Sequence, residues 1–288
     1  MNKWVVGARP RTLPASVVPV FVGTACAVGE GGVIVWRAIA ALVVALAIQV
    51  GTNYQNDVAD GVRGTDSVRV GPVRLVASGL ATPNQVRKAA LVAMLVAAAA
   101  GLALAIAVSP WLLLVGALSF LAGYFYTGGP KPYGYYGFGE LFVFVFFGLV
   151  ATIGSAYVQI ERITSVAIVA AIPVGFLITA LLVANNLRDI PTDGPAGKRT
   201  LAVRLGDKRT RWLYCLLILA SFLVLPIFGA LGRPLAALAY IAIVVARRPV
   251  QIVLEGAKGP GLIPVIGRTG RLVLVFGALL AIGLCYVP

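Results

Sequence analysis

The sequence predicts an all-α, polytopic membrane protein: nine transmembrane helices forming one domain over residues 1–288. Three observations carry this. Hydrophobic residues make up 60% of the chain, and the mean hydropathy is +0.95. Charged residues make up 12%, about half the usual ~25% of soluble domains. Apolar runs recur along the chain, each near the ~20 residues that cross a bilayer as a helix. No stretch is polar enough to form a separate soluble domain.

Apolar runs and polar breaks place the helices at roughly 14–30, 35–56, 86–107, 110–126, 139–159, 164–186, 210–231, 234–247 and 269–287. Ahead of the first run stand Lys3, Arg9 and Arg11, and Ala25-Cys26-Ala27 has the form of a signal-peptidase site. Pro10, Pro14 and Pro19 interrupt that run and many spans follow, so a retained first helix is expected. The second and sixth runs each end in an acidic, amide-rich cluster. The stretch 248–268 holds Pro249, Pro260, Pro264 and several glycines, and is expected to be a loop with an interfacial piece.

The net charge of +14 would point a soluble protein toward nucleic acid. Here the location of the charges excludes that. With the N-terminus in the cytoplasm, 21 of the 24 Lys and Arg fall in cytoplasmic segments, and only Arg37, Arg162 and Arg233 fall outside. The positive-inside rule therefore fixes the orientation, with the C-terminus outside. The expected location is a bacterial plasma (inner) membrane. Cys26, Cys215 and Cys285 all lie in apolar runs without metal-ligand spacing, so they are assigned to packing. The chain has no His, which excludes His-ligated metals and His general bases.

The chemistry concentrates in the two clusters. The first is Asn53-Tyr-Gln-Asn56-Asp57-Val-Ala-Asp60, with Asp66 after it; the second is Asn185-Asn186-Leu-Arg188-Asp189-Ile-Pro-Thr-Asp193. Together they hold five of only 10 Asp and Glu. A carboxylate at membrane depth costs roughly 2.5–3.5 kcal/mol on insertion scales, so such residues mark function. Asn53, Asn56, Asp57 and Asp60 are spaced i, i+3, i+4, i+7, one helical face, and Gln49 extends it inward. Asn185, Asp189 and Asp193 are spaced i, i+4, i+8, with Asn186 beside them; Pro191 is placed to end that helix. Both helices run toward the cytoplasm, and helix C-termini favour cations. Oxygen donors of this kind suit Mg²⁺, which takes a few carboxylates, waters and substrate phosphates.

Basic residues crowd the same face: Arg63, Arg69, Arg74, Lys131, Arg188, Lys198 and Arg199. Acids with basic neighbours are what a metal-diphosphate needs. Lys131 is the one basic residue of its loop, which runs Tyr124-Phe-Tyr126-Thr-Gly-Gly-Pro130-Lys131-Pro-Tyr133-Gly-Tyr135-Tyr136-Gly-Phe138-Gly-Glu140. Those aromatics fit either an interfacial belt or a pocket wall able to stabilise a carbocation. Glu140 fits helix capping or a site role.

On these residues the chain resembles the UbiA superfamily of intramembrane prenyltransferases. That superfamily shows N-D-x-x-D-x-x-x-D near the end of helix 2 and D-x-x-x-D after helix 6. Asn56, Asp57 and Asp60 match the first pattern, and Asp189 and Asp193 the second. Gly64 stands at the third Asp of the first motif, with Asp66 two residues later. That spacing, and the segments Arg9-Pro-Arg-Thr-Leu-Pro14, Tyr126-Thr-Gly-Gly-Pro-Lys-Pro-Tyr-Gly-Tyr and Gly197-Lys-Arg-Thr-Leu-Ala-Val-Arg-Leu-Gly206, look like the branch that prenylates 1,4-dihydroxy-2-naphthoate.

The resemblance implies a nine-helix bundle around a central cavity with cytoplasmic cap loops. It implies a polyprenyl diphosphate donor, a 1,4-dihydroxy-2-naphthoate acceptor, and loss of diphosphate and CO₂. Mg²⁺ would be held by Asp57, Asp60, Asp66, Asp189 and Asp193. Lys131, Arg188 and Lys198, with Arg63, would face the diphosphate, flanked by Asn53, Asn56, Asn185 and Asn186. Tyr124, Tyr126 or Tyr133 would shield the cation; the sequence identifies no base for the ring hydroxyl, for which Asp66 and Glu140 are the candidates. Membrane lipid would surround the tail site. The rival readings are another aromatic acceptor, such as 4-hydroxybenzoate or homogentisate, and an ion-coupled transporter. Residues 38–48 and 164–184 are almost wholly apolar, which opposes an ion path.

Overall fold

A computed structural model of the chain describes residues 2–64 and 73–286. Among these, α1 is Pro14–Gly29, α2 Val35–Arg63, α3 Pro83–Ala107, α4 Trp111–Thr127, α5 Gly139–Ile160, α6 Ser165–Asp193, α7 Leu201–Ala230, α8 Pro234–Leu254 and α9 Gly259–Cys285. Seven of these are long and apolar enough to cross a bilayer. A short helical segment, Lys3–Thr12, joins α1 at a bend of 55° and makes an eighth span with it. Helix α4 is shorter, an apolar helix of 17 residues, or ~25 Å at 1.5 Å per residue.

Helix α6 is the hub. Ala167, Ala170, Ala171, Val174, Leu177, Ala180 and Ala184 are all buried on it. Small residues let neighbouring backbones approach, which is how helices associate where lipid removes the hydrophobic drive. Helices α1, α5, α7 and α9 pack around it. One close approach is at Gly148 of α5, where a Cβ would lie 2.5 Å from the Cα of Gly175 on α6. That contact sits in a π-helical turn, Phe144–Val150, inside α5. Such a wide turn changes which side chains face inward, and Phe146, Phe147 and Val150 line the central cavity.

Several boundaries differ from the sequence expectation. Helix α2 runs to Arg63, and Gly64 ends it in the left-handed region at φ 74°. Helix α6 carries Pro191 in its last turn and reaches Asp193. Helix α7 starts at Leu201, kinked at Gly206. The stretch 248–268 is mostly helix rather than loop. Pro260 and Pro264 stand in first turns, where a missing N–H costs nothing.

At the end of the bundle opposite the acidic stripes, the three remaining arginines are all engaged. Arg37 bonds Glu161, while Arg162 and Arg233 share Glu30, each at 2.9 Å. Those contacts tie α1, α2, α5 and α8 together on that face.

Candidate active site

A cavity of about 660 Å³ lies between α1, α2, α4, α5 and α6. Its inner half is apolar, lined by residues such as Val44, Leu112, Val115 and Val150. Its mouth is polar. From α2 come Asn53, Asn56 and Asp60; from α6 come Asn185, Asn186, Arg188 and Asp189; Arg74 and Lys198 come from the connections that follow those helices. The helical spacing seen in the sequence is what turns these side chains to one place.

The two acidic stripes meet at Lys198. Its Nζ lies 3.7 Å from Asp60 Oδ2 and 3.8 Å from Asp193 Oδ1. All three side chains are largely withdrawn from solvent. Asp60 Oδ1 accepts a 2.6 Å hydrogen bond from the Tyr135 hydroxyl, and the Lys198 ammonium stands 5.3 Å over the Tyr135 ring. Asp189 is held in a bidentate pair by its neighbour Arg188, Nε–Oδ1 2.7 Å and Nη2–Oδ2 2.8 Å.

The amides are fixed as well. Asn56 Oδ1 accepts from the Thr127 hydroxyl at 2.6 Å, and Asn53 Nδ2 donates to the Ala8 carbonyl at 2.9 Å. Asn186 Nδ2 donates to Glu140 Oε1 at 2.9 Å, and Asn185 Nδ2 to the Leu181 carbonyl at 3.0 Å. Glu140 is buried behind Asn186 and is not among the residues lining the cavity.

An aromatic wall continues inward. Tyr126 meets Tyr133 edge-on at 5.6 Å, Tyr133 stacks on Phe142 at 4.0 Å, and Phe142 on Phe146 at 6.0 Å. The Tyr133 hydroxyl donates to the Ala122 carbonyl, so its ring faces the cavity. Burial pushes that hydroxyl above the ordinary phenol range.

Other expected site residues lie elsewhere. Asp57 is buried, but its carboxylate accepts the backbone N–H groups of Leu75 and Val76, both at 2.9 Å, and it does not line the cavity. Arg63 donates to the carbonyls of Thr127 and Gly129, tying α2 to the aromatic loop. Lys131 is exposed in a Pro-Lys-Pro turn. Tyr124 is 49% exposed, two residues from Tyr126 and so on the other side of α4. The structure brings neither of these two to the cavity. Asp66 lies outside the described residues. Tyr135 and Thr127 are site residues that the sequence reading does not single out, and Arg74, named there only among the basic residues of this face, lines the cavity. The tyrosine-rich loop was the one signal for Tyr135, and nothing in its spacing singles it out among five tyrosines.

Among the described residues no three carboxylates form a metal cage. The donor set still fits a hard cation. Two buried carboxylates face one ammonium, and Mg²⁺ commonly uses one or two carboxylates plus substrate phosphates.

The sequence profile of the UbiA prenyltransferase family matches residues 16–256. The chain belongs to this family. A 1,4-dihydroxy-2-naphthoate octaprenyltransferase from Mycobacterium tuberculosis is 49% identical over 99% of this chain and 97% of its own length. Among solved structures, a UbiA homolog from Aeropyrum pernix K1 superposes with a TM-score of 0.72 at 14% identity, covering 93% of this chain and 97% of its own. A UbiA homolog from Archaeoglobus fulgidus bound to GPP and Mg²⁺ gives 0.65 at 13% identity, covering 97% and 99%. The UbiA fold thus agrees with the nine-helix bundle built up from the sequence.

Proposed function

We propose that this chain transfers a polyprenyl group from its diphosphate to 1,4-dihydroxy-2-naphthoate, releasing diphosphate and CO₂ and giving the prenylated naphthoquinol, demethylmenaquinol, which a separate two-electron oxidation turns into demethylmenaquinone. One observation carries the reading: two acidic stripes converge on Lys198 at the mouth of an apolar cavity. The near-full-length likeness to a naphthoate octaprenyltransferase supports the acceptor. The acidic face is read as cytoplasmic, in a bacterial plasma membrane, since 21 of 24 basic residues sort to it.

Asp60, Asp189 and Asp193, with Asp66, would hold Mg²⁺, as the GPP-bound archaeal homolog suggests for this fold. When bound, the ion offsets the charge of the leaving diphosphate. Lys198, Arg188 and Arg74 line the same mouth and add positive charge where it develops. The rings of Tyr126, Tyr133 and Phe142 exclude water from the allylic cation and stabilise it through their faces. The electron-rich acceptor attacks that carbon from its carboxylate-bearing position, and loss of CO₂ restores aromaticity. The prenyl tail occupies the apolar inner half of the cavity, next to lipid.

Purified protein, Mg²⁺ and a polyprenyl diphosphate, offered 1,4-dihydroxy-2-naphthoate, 4-hydroxybenzoate and homogentisate side by side, test the reading by product mass. Prenylated naphthoquinol is expected, and only with Mg²⁺. Preferred product from either other acid overturns the acceptor. Ion flux in proteoliposomes without any prenyl product overturns the reaction class.

A further inference from the structure

A second pocket, of about 430 Å³, lies at the acidic end of the bundle. Arg63 reaches it from the end of α2, Arg199 from the connection after α6, and Arg204 from the first turns of α7. Pro130, Pro132, Tyr135 and Tyr136 of the aromatic loop form the facing wall, and among the described residues no carboxylate lines the pocket. Other cations of this end have acid partners: Lys198 has Asp60 and Asp193, Arg188 has Asp189, and Arg211 has Asp207. Arg199 makes no side-chain hydrogen bond or ion pair among the described residues. Arg204 uses only its Nε, which donates to the Arg199 carbonyl at 3.2 Å. That bond holds the guanidinium and leaves both of its terminal nitrogens for a ligand. Gly137 makes room for it. The backbone there is left-handed at φ 81°, and a Cβ would lie 3.0 Å from Arg204 Cδ and 3.1 Å from its Nε.

Positive-inside sorting explains why basic residues populate this end. It does not explain three guanidiniums from three separate elements in one cleft, where like charges repel unless an anion offsets them. A cleft lined by one sign of charge concentrates the opposite ion, and guanidinium forks match phosphate oxygens two at a time. Tyr135 is the wall between this pocket and the mouth of the main cavity. Its ring carries the Arg63 guanidinium at 5.1 Å and the Lys198 ammonium at 5.3 Å, and its hydroxyl bonds Asp60. Lys198 lines the main cavity, while the next residue, Arg199, lines the second pocket.

We propose that this pocket is a second phosphate site, one that takes diphosphate without a metal, one ring away from the catalytic mouth. Diphosphate leaving Lys198 and the acids passes Tyr135 and meets Arg63, Arg199 and Arg204, so the pocket serves product release. No bond forms or breaks there. The release role rests on the prenyl-transfer reading; the anion site itself does not. A phospholipid headgroup presents the same phosphate chemistry, and the test separates the two sources.

The experiment titrates inorganic diphosphate into the full-length protein by calorimetry, with EDTA present to remove metal. The wild type should bind it, more weakly as salt is added. Arg199→Gln and Arg204→Gln should each weaken binding by about tenfold or more. Lys198→Met removes the cation of the catalytic mouth and should leave this metal-free binding nearly unchanged. The single-turnover rate of Arg204→Gln should stay near that of the wild type. Repeating the titration in nanodiscs of phosphatidylcholine, with and without phosphatidylglycerol, identifies the source of phosphate. Equal affinity in both supports the free anion. Competition by phosphatidylglycerol, with that lipid retained by the wild type and lost from Arg204→Gln, gives the same pocket to a headgroup and overturns the release role. No metal-free binding of either anion by the wild type overturns the site, as does unaltered binding in both folded arginine variants. Loss of binding in Lys198→Met also overturns it, placing the anion at the catalytic mouth. Absence of prenyl product from wild-type protein defeats the functional reading without altering the metal-free titration.

Discussion

Lys198 Nζ is almost equidistant from Asp60 Oδ2 and Asp193 Oδ1, at 3.7 and 3.8 Å, and so joins the acidic end of α2 to that of α6. The two carboxylates would otherwise repel each other across a partly dry site. A cation held by both must be displaced or shared when a metal-diphosphate arrives. Replacing Lys198 by Met should therefore act in two ways. kcat/KM for the donor should fall by about 100-fold, near 2.7 kcal/mol. The apoprotein should lose thermal stability, and Mg²⁺ alone should restore more of it than in the wild type. A melting curve with and without Mg²⁺ decides; equal Mg²⁺ response in both proteins contradicts the shared cation site.

Asp60 and Asp193 should behave as one unit. Asp60→Asn and Asp193→Asn should each reduce kcat/KM strongly, and the double variant should cost less than the sum. Groups sharing a partner commonly couple by about 0.5–3 kcal/mol in a double-mutant cycle. Strict additivity would mean that the two stripes work separately.

Asp57 should differ in kind from Asp60. Its two oxygens hold the backbone of Leu75 and Val76. Asp57→Ala removes two hydrogen bonds to a charged group, each worth about 1.5–3 kcal/mol. Lower melting temperature should accompany its loss of activity, whereas Asp189→Ala should abolish turnover with folded protein still in the membrane. Near-normal product formation from Asp189→Ala would remove that residue from the site.

The aromatic wall should exclude water. Tyr133→Phe keeps the ring stacked on Phe142 and should retain activity; Tyr133→Ala opens the wall and should release prenyl alcohol as a by-product. Because burial raises the Tyr133 hydroxyl above its usual value, it stays neutral through the working range. Its contribution to stability is present below the unfolded value of about 10 and is lost as pH rises beyond the folded one. Wild type and Tyr133→Phe should thus share one pH–rate profile below pH ~10. A limb present in one and missing in the other contradicts this.

The helical bundle and both acidic stripes were legible because each depends on local periodicity. Asn53, Asn56 and Asp60 share a face by spacing alone, and the structure keeps them on the cavity. The departures arise where tertiary contacts decide. Asp57 lies on the same stripe but is taken by a backbone segment 18 residues away. Tyr135 reaches Asp60 across 75 residues, and no pattern within the loop distinguishes it from Tyr136. Pro191 reads as a stop, yet the packed α6 continues to Asp193. The displaced third acid has a local reason. Gly64 ends α2 at positive φ, where an Asp would be strained, and the next acid in the sequence, Asp66, lies outside the described residues.

The most direct measurement uses 1,4-dihydroxy-2-naphthoate labelled in its carboxylate, with a polyprenyl diphosphate and Mg²⁺. Labelled CO₂ and prenylated product should appear in equal amounts, and neither should appear with Asp60→Asn. Product that retains the label, or CO₂ release that does not depend on the donor, would contradict prenyl transfer at the carboxylate-bearing carbon.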